Sequence, residues 1–387
     1  MKVAVIGCHP PSLVNFRGPL IHAIRERGHE VVAVASGEDE EVDRALREMG
    51  AEYRSVRMGR TAMDPRGEMA SLADLVRFMR EANPDVVLNY TIKPVVWGGL
   101  AARVCRIRKT YSLVTGLGYA LMAPETARQR LAGWMATRLY RSSLKQSRKV
   151  FFQNPDDMRE FAARGMVPES KCVVVDGSGV DLGKYTSEPG GDENEGCGRF
   201  LLVARLLRDK GIGEYAEAAR RIGVRFPQSQ FHLVGPYDSN PSGLSRAEVE
   251  GWAKEGILQY WGEQRDVRSH YAGCDVYVLP SYYREGTPRT VLEAMAMGKP
   301  VVTTDAPGCR ETVRAGAGGW RMEGKLKIGA NGILIPPKDA GALETAMEWF
   351  LLNGKEIPAM GRESRRYAEE RYDVRRVNET MLKEMEL

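Results

Sequence analysis

Two glutamates, Glu285 and Glu293, lie on either side of a predicted strand-to-helix junction. The apolar run CDVYVLPS, at 274–281, has the length of a buried strand. Gly286 interrupts the segment after this run, Thr287 suits an N-cap and Pro288 suits the first helical position. We therefore predict a strand, a polar loop with Glu285, a helix with Glu293, and a further strand, VVTTD.

This junction predicts an anion-binding site. The first amides of a helix have no intrahelical acceptor, and the dipole adds about half a positive charge there. Glu285 would lie just outside the helix start, and Glu293 roughly 9 Å along the axis at about 1.5 Å per residue. A diphosphate on the amides would be flanked by carboxylates that accept hydrogen bonds from hydroxyl groups. A sugar nucleotide has that layout; the alternative is an ordinary helix with exposed carboxylates.

A pair of cations, Arg205 and Lys210, could reach the same diphosphate. They stand in the segment VARLLRDKG, across a second predicted strand-to-helix turn. Two cations at such a turn suit the charge and geometry of a diphosphate. The alternative is a turn with solvated charges.

The composition narrows the class of protein. The 387 residues are 43% hydrophobic and 28% charged, which is typical of soluble proteins large enough for two domains. No run approaches the ~18 apolar residues of a membrane span, and the opening MKVAVIG is too short for a signal peptide. Six scattered cysteines and five scattered histidines predict reduced thiols in the cytosol and no metal site. The net charge of +5 implies no particular partner.

Strand-like runs alternate with helical patterns along the whole chain, which predicts parallel sheets covered on both faces. In the first half the runs are KVAVIG, HEVVAVAS, DVVLNY, KTYSLVTG, KVFFQN and KCVVVDG. A second series, from RFLLVARL to GILIPP, follows the Gly- and acid-rich segment TSEPGGDENEGCG. We predict an α/β protein with two doubly wound Rossmann-like domains, 1–185 and 199–365, a linker, 186–198, and a C-terminal helix, 366–387, that could pack back on the first domain.

Ligands in such sheets bind at the carboxyl ends of the strands. The loop after the first strand, GCHPPSLVNFRGPL, lacks G-x-G-x-x-G spacing, so a dinucleotide site is not supported. Polar and glycine residues nevertheless follow three strands of the first domain, and we expect them to converge at one edge of its sheet. They are Asn15, Arg17, Gly18, Thr91, Lys93, Gly116 and Gly118.

A basic stripe is predicted on the helix near 127–146, where the spacing is 4-3-4-3. A tryptophan and an adjoining apolar face make the stripe suitable for an anionic membrane surface. The alternatives are a core helix with a solvated basic side, or a nucleic-acid surface, which we do not expect because no stacking platform accompanies the charge. The stripe consists of Trp134, Arg138, Arg141, Lys145 and Arg148.

The segments VARLLRDKG, LVGP, GCDVYVLPSYYREGTPRTVLEAMAMGKPVVTTD and GILIPP resemble the family-4 glycosyltransferases. Glu285 and Glu293 match that family's Glu-x7-Glu motif. The resemblance implies the GT-B fold, in which two Rossmann-like domains face each other across a cleft. In the first domain, SLVNFRGPL, NYTIKPVVWGG and VTGLGYAL are similar to the branch that extends undecaprenyl-diphosphate-linked sugars, which includes the N-acetylgalactosaminyltransferase of diacetylbacillosaminyl-diphospho-undecaprenol.

The resemblance also implies roles for individual residues. Arg205 and Lys210 would neutralise the donor diphosphate, Glu285 would face the transferred sugar, and Glu293 would bind the ribose. The residues named above in the first domain would line the acceptor side. Many members carry a histidine there, but no histidine lies between His29 and His232, which leaves the proton acceptor open. The donor would further contact Gly235, Trp261, Gly262, Arg265, Gly286, Thr287, Pro288, Arg289, Thr290 and Val291.

The expected function is transfer of an N-acetylhexosamine, GalNAc first, from a UDP-sugar to a sugar on undecaprenyl diphosphate during glycan assembly. By resemblance the enzyme would retain anomeric configuration and need no metal or other cofactor. We expect it in the cytoplasm, at the inner face of the cell membrane. The alternatives are a UDP-sugar 2-epimerase, a transferase with a soluble acceptor, and a catalytically silent module that binds glycan or lipid.

Overall fold

The chain divides into two compact units, Met1–Gly179 with Val374–Leu387 and Val180–Asp373. A sheet with helices on its faces forms the core of each unit, which confirms the predicted pair of Rossmann-like α/β domains. The computed structural model describes residues 1–59, 65–117, 126–186 and 198–387.

The first unit is built on a parallel sheet whose apolar strands are mostly buried. In chain order the strands are β1 (Lys2–Ile6), β2 (Glu30–Ala35), β3 (Glu52–Ser55), β4 (Val86–Tyr90), β5 (Lys109–Val114), β6 (Lys149–Phe152) and β7 (Cys172–Val174). Their spatial order is β3-β2-β1-β4-β5-β6-β7, and every pairing is parallel. The order reverses between β1 and β4, which makes this the switch point of the sheet.

Helices cover both faces of this first sheet. They are α1 (Pro10–Asn15), α2 (Gly18–Glu26), α3 (Glu40–Glu48), α4 (Pro65–Ala82), α5 (Gly99–Val104), α6 (Ala127–Leu144), α7 (Pro155–Ala163) and the C-terminal helix, α14 (Val374–Met385). One core joins α1, α2, α3 and α14 to the sheet, and the cores of the opposite face take residues from α4 to α7.

The second unit has a mixed sheet. Its strands are β8 (Arg199–Val203), β9 (Gln230–Val234), β10 (Gln259–Tyr260), β11 (Val276–Leu279), β12 (Val301–Thr304), β13 (Arg321–Glu323), β14 (Leu326–Ile328) and β15 (Gly332–Ile335). The spatial order is β10-β9-β8-β11-β12-β15-β14-β13, parallel except where β14 pairs with β13 and β15. Its helices are α8 (Ile212–Arg225), α9 (Arg246–Lys254), α10 (Arg268–Gly273), α11 (Arg289–Ala296), α12 (Ala340–Leu352) and α13 (Ile357–Tyr367).

Several local predictions differ from the structure. The segment after β1 is not all loop, because two prolines occupy the first turn of α1, where no intrahelical N–H is needed. The segment after β4 begins as a π-helical turn, Pro94–Gly98, before α5. The β13–β14 hairpin escaped detection because its strands are short and β13 is exposed.

The unit boundaries also differ from the predicted ones. The chain enters the second unit at Val180 rather than after residue 185, because the Val180 amide donates to the Tyr372 carbonyl at 2.7 Å. It returns to the first unit at Val374 rather than at 366. There α14 packs on the first core, and the Tyr111 hydroxyl donates to the Met385 carbonyl at 3.0 Å. Most of the predicted linker, 187–197, lies outside the described residues.

Candidate active site

The site of the second unit lies at its switch point. Here β8 and β11 are neighbours, while β9 and β10 continue on one side and β12 and β15 on the other. Ligands of such sheets bind beyond the carboxyl ends of the two central strands. The segments that leave those ends are 204–211 and 280–288, which contain the predicted cations and the first predicted glutamate.

Backbone contacts hold these two segments against each other. The amides of Tyr282 and Tyr283 both donate to the Asp209 carbonyl, at 2.9 and 3.0 Å. Gly211 has a φ of +75°, and a Cβ there would lie 2.2 Å from the Pro280 carbonyl oxygen. Glycine is therefore required at this approach, and the turn after β8 cannot move independently of the loop after β11.

Lys210 and Glu285 form an ion pair across the two segments. Their side chains are only 12% and 13% exposed. The Ser281 hydroxyl donates to the same Glu285 oxygen at 3.1 Å, and the Lys210 ammonium lies 5.7 Å from the centre of the Tyr283 ring. The structure therefore brings together one predicted cation and one predicted carboxylate in a largely desolvated position.

Arg205 is placed differently. Its guanidinium donates to Asp238 at 2.7 Å, yet the side chain is 41% exposed. Asp238 stands on the loop after β9, where its other oxygen accepts from the Asn240 amide at 2.9 Å. Asp238 was not predicted as a site residue, although its position shortly after a strand end, in LVGPYD, could have identified it.

The start of α11 is one residue later than predicted. Pro288, not Thr287, is the N-cap, because its ψ of 113° is non-helical and its carbonyl accepts from the Val291 amide at 3.1 Å. The first helical residue is Arg289. Because the Val291 amide is already bonded, this end offers an anion the positive end of the helix dipole and the amides that precede Val291, and anion binding here stays a prediction.

The loop before this helix has its own support. Gly308, in the segment after β12, has a φ of +84°, and a Cβ there would lie 2.3 Å from the Gly286 carbonyl oxygen. A larger residue at 308 would therefore push the loop that carries Glu285 and Gly286. This role of Gly308 was not predicted from the sequence.

Glu293 is buried, whereas the sequence predicted a carboxylate beside an open anion-binding pocket. One oxygen pairs with Arg289 at 2.9 Å, and the other accepts from the Tyr271 hydroxyl at 3.1 Å. Burial, and then Glu293 itself, raises the pKa of Tyr271 well above its ordinary value, so the hydroxyl remains a donor. Thr290 is fixed in the same way, because its hydroxyl accepts from Tyr277 at 2.7 Å.

Gly235, Trp261, Gly262 and Arg265 are among the residues predicted to contact the donor. The Gly235 amide donates to the Gly262 carbonyl at 2.9 Å. The indole N–H of Trp261 donates to Nδ1 of His232 at 3.1 Å, and desolvation lowers the pKa of that histidine, which favours the neutral acceptor form. Trp261 and Arg265 are both exposed.

In the first unit, the loops after β1 and β4 meet at Tyr90. The Tyr90 hydroxyl bonds to that of Ser12 at 2.8 Å, and the Arg17 guanidinium lies 5.5 Å from the ring centre. Arg17 is buried and donates to the Ser178 hydroxyl at 2.6 Å. The neighbouring predictions Asn15 and Gly18 end α1 and begin α2, respectively.

Lys93, after β4, donates to Glu68 of α4 at 2.5 Å. Glu68 was not predicted as a site residue, because its pairing with Lys93 depends on how α4 packs against the sheet. Thr91 adopts a φ of +68°, which is rare for a β-branched residue. Gly116, after β5, has a φ of +135°, and Gly118 lies outside the described residues.

The predicted basic stripe is not one helical face. Helix α6 ends at Leu144, so Lys145 and Arg148 lie beyond it. The Arg148 amide donates to the Thr110 carbonyl, and its side chain pairs with Glu386 at 2.8 Å. The other three members of the stripe lie on the helix: Arg141 donates to the carbonyls of Arg164 and Gly165 at 3.0 and 2.9 Å, and Arg138 stacks over the exposed Trp134 at 4.9 Å.

Two family models match the chain. Residues 17–176 match the Glycosyl transferase 4-like domain, and residues 198–353 match Glycosyl transferases group 1. A Campylobacter jejuni protein, N,N'-diacetylbacillosaminyl-diphospho-undecaprenol alpha-1,3-N-acetylgalactosaminyltransferase, is 29% identical over 81% of this chain and 83% of its own length. An Escherichia coli UDP-Gal:alpha-D-GlcNAc-diphosphoundecaprenol alpha-1,3-galactosyltransferase is 25% identical over 66% of this chain and 67% of its own.

Solved structures show the same fold. Anabaena Alr3699/HepE in complex with UDP superposes with a TM-score of 0.73 at 18% identity, over 99% of both chains. Sucrose-phosphate synthase from Thermosynechococcus elongatus superposes with a TM-score of 0.75 at 19% identity, over 98% of this chain and 97% of its own.

Proposed function

The chain belongs to the family-4 glycosyltransferases of the GT-B fold, and from this premise we propose which sugar transfer it performs. It moves an N-acetylhexosamine, with GalNAc as the first candidate, from a UDP donor to a sugar linked to undecaprenyl diphosphate. Anomeric configuration is retained. The product enters the assembly of a cell-surface or protein-linked glycan.

One observation carries the donor assignment: Lys210, on the turn after β8, pairs with Glu285, on the segment that leads into α11, at the switch point of the sheet. A diphosphate there gains the fixed charge of Lys210 and the positive end of the α11 dipole. The exposed guanidinium of Arg205 can turn from Asp238 toward a phosphate, which it would bind as a bidentate donor. The leaving UDP is thereby stabilised by groups that are already oriented.

The two carboxylates, Glu285 and Glu293, lie next to the hydroxyl groups on either side of the diphosphate. Glu285, which accepts a hydrogen bond from Ser281, faces the transferred sugar and accepts hydrogen bonds from its hydroxyl groups. Glu293 keeps Tyr271 and Arg289 in place and lies next to the ribose. Gly235, Gly262 and Arg265 border the base. A UDP complex of a structural neighbour supports this assignment of the donor class.

The acceptor assignment rests on the relatives. The names of the Campylobacter and Escherichia coli proteins both specify a sugar on diphosphoundecaprenol as acceptor, but they specify different donors, GalNAc and Gal. The acceptor class is therefore shared, and GalNAc is favoured because the Campylobacter protein is similar over more of the chain. The described polar residues Asn15, Thr91 and Lys93, at the carboxyl end of the first sheet, are the candidates for the acceptor side.

The function is tested with the purified chain, vesicles that contain an undecaprenyl-diphosphate-linked N-acetylhexosamine, and UDP-GalNAc, UDP-GlcNAc, UDP-Gal or UDP-Glc. Mass spectrometry should show a lipid heavier by one N-acetylhexosamine with UDP-GalNAc. Conversion of the donor without any acceptor would favour the epimerase instead, and turnover with a soluble sugar alone would remove the lipid from the proposal.

Replacement of either cation should abolish most of the turnover while the fold stays intact. Arg205→Ala and Lys210→Ala each remove one preorganised donor to the leaving diphosphate, which corresponds to about a 10²–10³-fold loss in kcat. Arg208→Ala is the matched control, because Arg208 is on the same turn but pairs with Glu248. Near-normal kcat in both Arg205→Ala and Lys210→Ala would refute the assignment.

Turnover should be unchanged in EDTA. The positive charge that the leaving diphosphate requires is supplied by Arg205, Lys210 and the start of α11, so no divalent cation is needed for that task. The measurement is the initial rate of UDP release before and after EDTA treatment and desalting. Loss of the rate, with recovery on addition of Mg²⁺ or Mn²⁺, would contradict the expectation.

We further propose that α6 rests on an anionic membrane. Leu131, Trp134 and Met135 are exposed on this helix, the exposed Arg138 stacks on Trp134, and a second exposed cation, Lys145, follows the end of the helix. Apolar side chains beside cations suit the interface of an anionic bilayer. Within the described residues, no helix has both the length and the hydropathy to cross a membrane.

Charge reversal should weaken this membrane contact. Arg138→Glu with Lys145→Glu removes two cations worth about 1 kcal/mol each, so binding to phosphatidylglycerol vesicles should fall about thirtyfold. Arg141 is left in place because it supports the carbonyls after α7. The control, Arg44→Glu with Arg77→Glu, changes the same charge on α3 and α4. Equal vesicle binding by both double variants would contradict the assignment of α6.

A further inference from the structure

A second polar group lies at the carboxyl end of the first unit's sheet, and it consists of Glu68, Thr91 and Lys93. Lys93 and Thr91 follow β4, one of the two strands at the switch point. Glu68 is in the first turn of α4, the helix that precedes β4 and therefore starts at the same edge. We propose that Glu68 and Thr91 bind hydroxyl groups of the acceptor's sugar and that Lys93 positions Glu68. The inference rests on the proposed function, and it names the part of the acceptor that this edge recognises.

The first observation is an incomplete set of hydrogen bonds. One oxygen of Glu68 accepts from Lys93, while the other oxygen is buried and has no hydrogen-bond partner. The Thr91 hydroxyl oxygen is buried and unpartnered as well. Native proteins rarely leave such groups unmatched, and a bound water or ligand commonly completes them. Both side chains of the ion pair remain 15% exposed, so the pair is within reach of a ligand.

The second observation is the backbone of Thr91. A φ of +68° is strained for a β-branched residue, and such strain persists only where the surroundings impose it. Here the Thr91 carbonyl accepts from the Val95 amide at 3.0 Å, inside the π-helical turn that follows. That turn packs closely against β4, because a Cβ on Gly98 would lie 2.0 Å from the side chain of the buried Asn89. Strained residues and π-helical turns both concentrate at functional sites.

The charge of the group decides which part of the acceptor it suits. The atoms of this group that lack a partner are a carboxylate oxygen of Glu68 and the hydroxyl oxygen of Thr91, and a carboxylate oxygen would repel a diphosphate. A carboxylate oxygen and a hydroxyl are instead the usual partners of sugar hydroxyls. The pair therefore recognises the sugar of the acceptor rather than its diphosphate.

The first experiment measures the KM for the lipid-linked acceptor. Glu68→Gln keeps the shape but removes the charged acceptor, so this KM should rise about 10- to 100-fold. Thr91→Val keeps the branched shape and should raise the same KM by a smaller factor. The KM for the UDP-sugar and the UDP release without acceptor should not change. Glu81→Gln, an exposed position of α4, is the matched control.

A charge swap separates recognition from a merely structural ion pair. Glu68→Lys with Lys93→Glu rebuilds the pair in reverse, so the thermal midpoint should return toward that of the wild type. The acceptor KM should stay raised, because the carboxylate has moved. Recovery of the acceptor KM together with the thermal midpoint would overturn the inference, and so would a normal KM in both Glu68→Gln and Thr91→Val.

Sugar-free undecaprenyl diphosphate tests the assignment to the sugar. As a competitor it should inhibit the wild type and Glu68→Gln equally, and weaker inhibition of the variant would overturn the inference in favour of diphosphate recognition. Failure of the proposed function itself would look different. In that case the wild type would transfer no sugar to the lipid, whereas failure of this inference leaves wild-type transfer intact and the variants normal.

Discussion

The contact between Lys210 and Glu285 is the constraint on which the proposed donor site of the second unit depends. Both side chains are removed from most of the solvent, and either charge alone would be costly at that position. The pair exists because two loops from neighbouring strands are joined through the Asp209 carbonyl and through the close approach of Gly211 to Pro280. A cation and a carboxylate are thereby oriented before any substrate arrives, which is the condition for electrostatic stabilisation of a leaving group.

Arg205 is held less tightly, and the difference is informative. An ammonium is a compact charge that can be fixed in one place, whereas a guanidinium can present two parallel donors to a phosphate. The structure fixes Lys210 between the loops and leaves Arg205 exposed at the rim, with Asp238 as its partner. One rigid charge and one adaptable fork suit a diphosphate that must both enter and leave. Gly308 supports the same arrangement, because the lack of a side chain there allows the loop with Glu285 to lie close to the segment after β12.

The sequence predicted the parallel sheets well because apolar strands and helical periodicity are local signals. It also led to Arg205, Lys210 and Glu285 as candidates, because each follows a strand end and apolar strand runs can be recognised in the sequence. It could not predict that Lys210 meets Glu285, since that contact depends on β8 lying beside β11. The same limit explains the other differences. Glu293 is buried by Tyr271, and Arg141 and Arg148 bond to segments distant in sequence, so spacing along one helix could not reveal their partners.

The two units carry the same device at equivalent places. Each sheet places its fourth strand beside its first, and each has a lysine–glutamate pair of low exposure at that carboxyl edge. No crossover helix covers the crevice at a switch point, so polar side chains can point into it from both central strands. A partly buried ion pair adds little to stability, and its position is therefore better explained by ligand binding than by folding. The lysine follows the first strand in the second unit and the fourth strand in the first, so the two edges present different groups to their ligands. A site for a diphosphate and a site for sugar hydroxyls can therefore arise from one strand order, because side chains after the strands, not the sheet, determine what is bound.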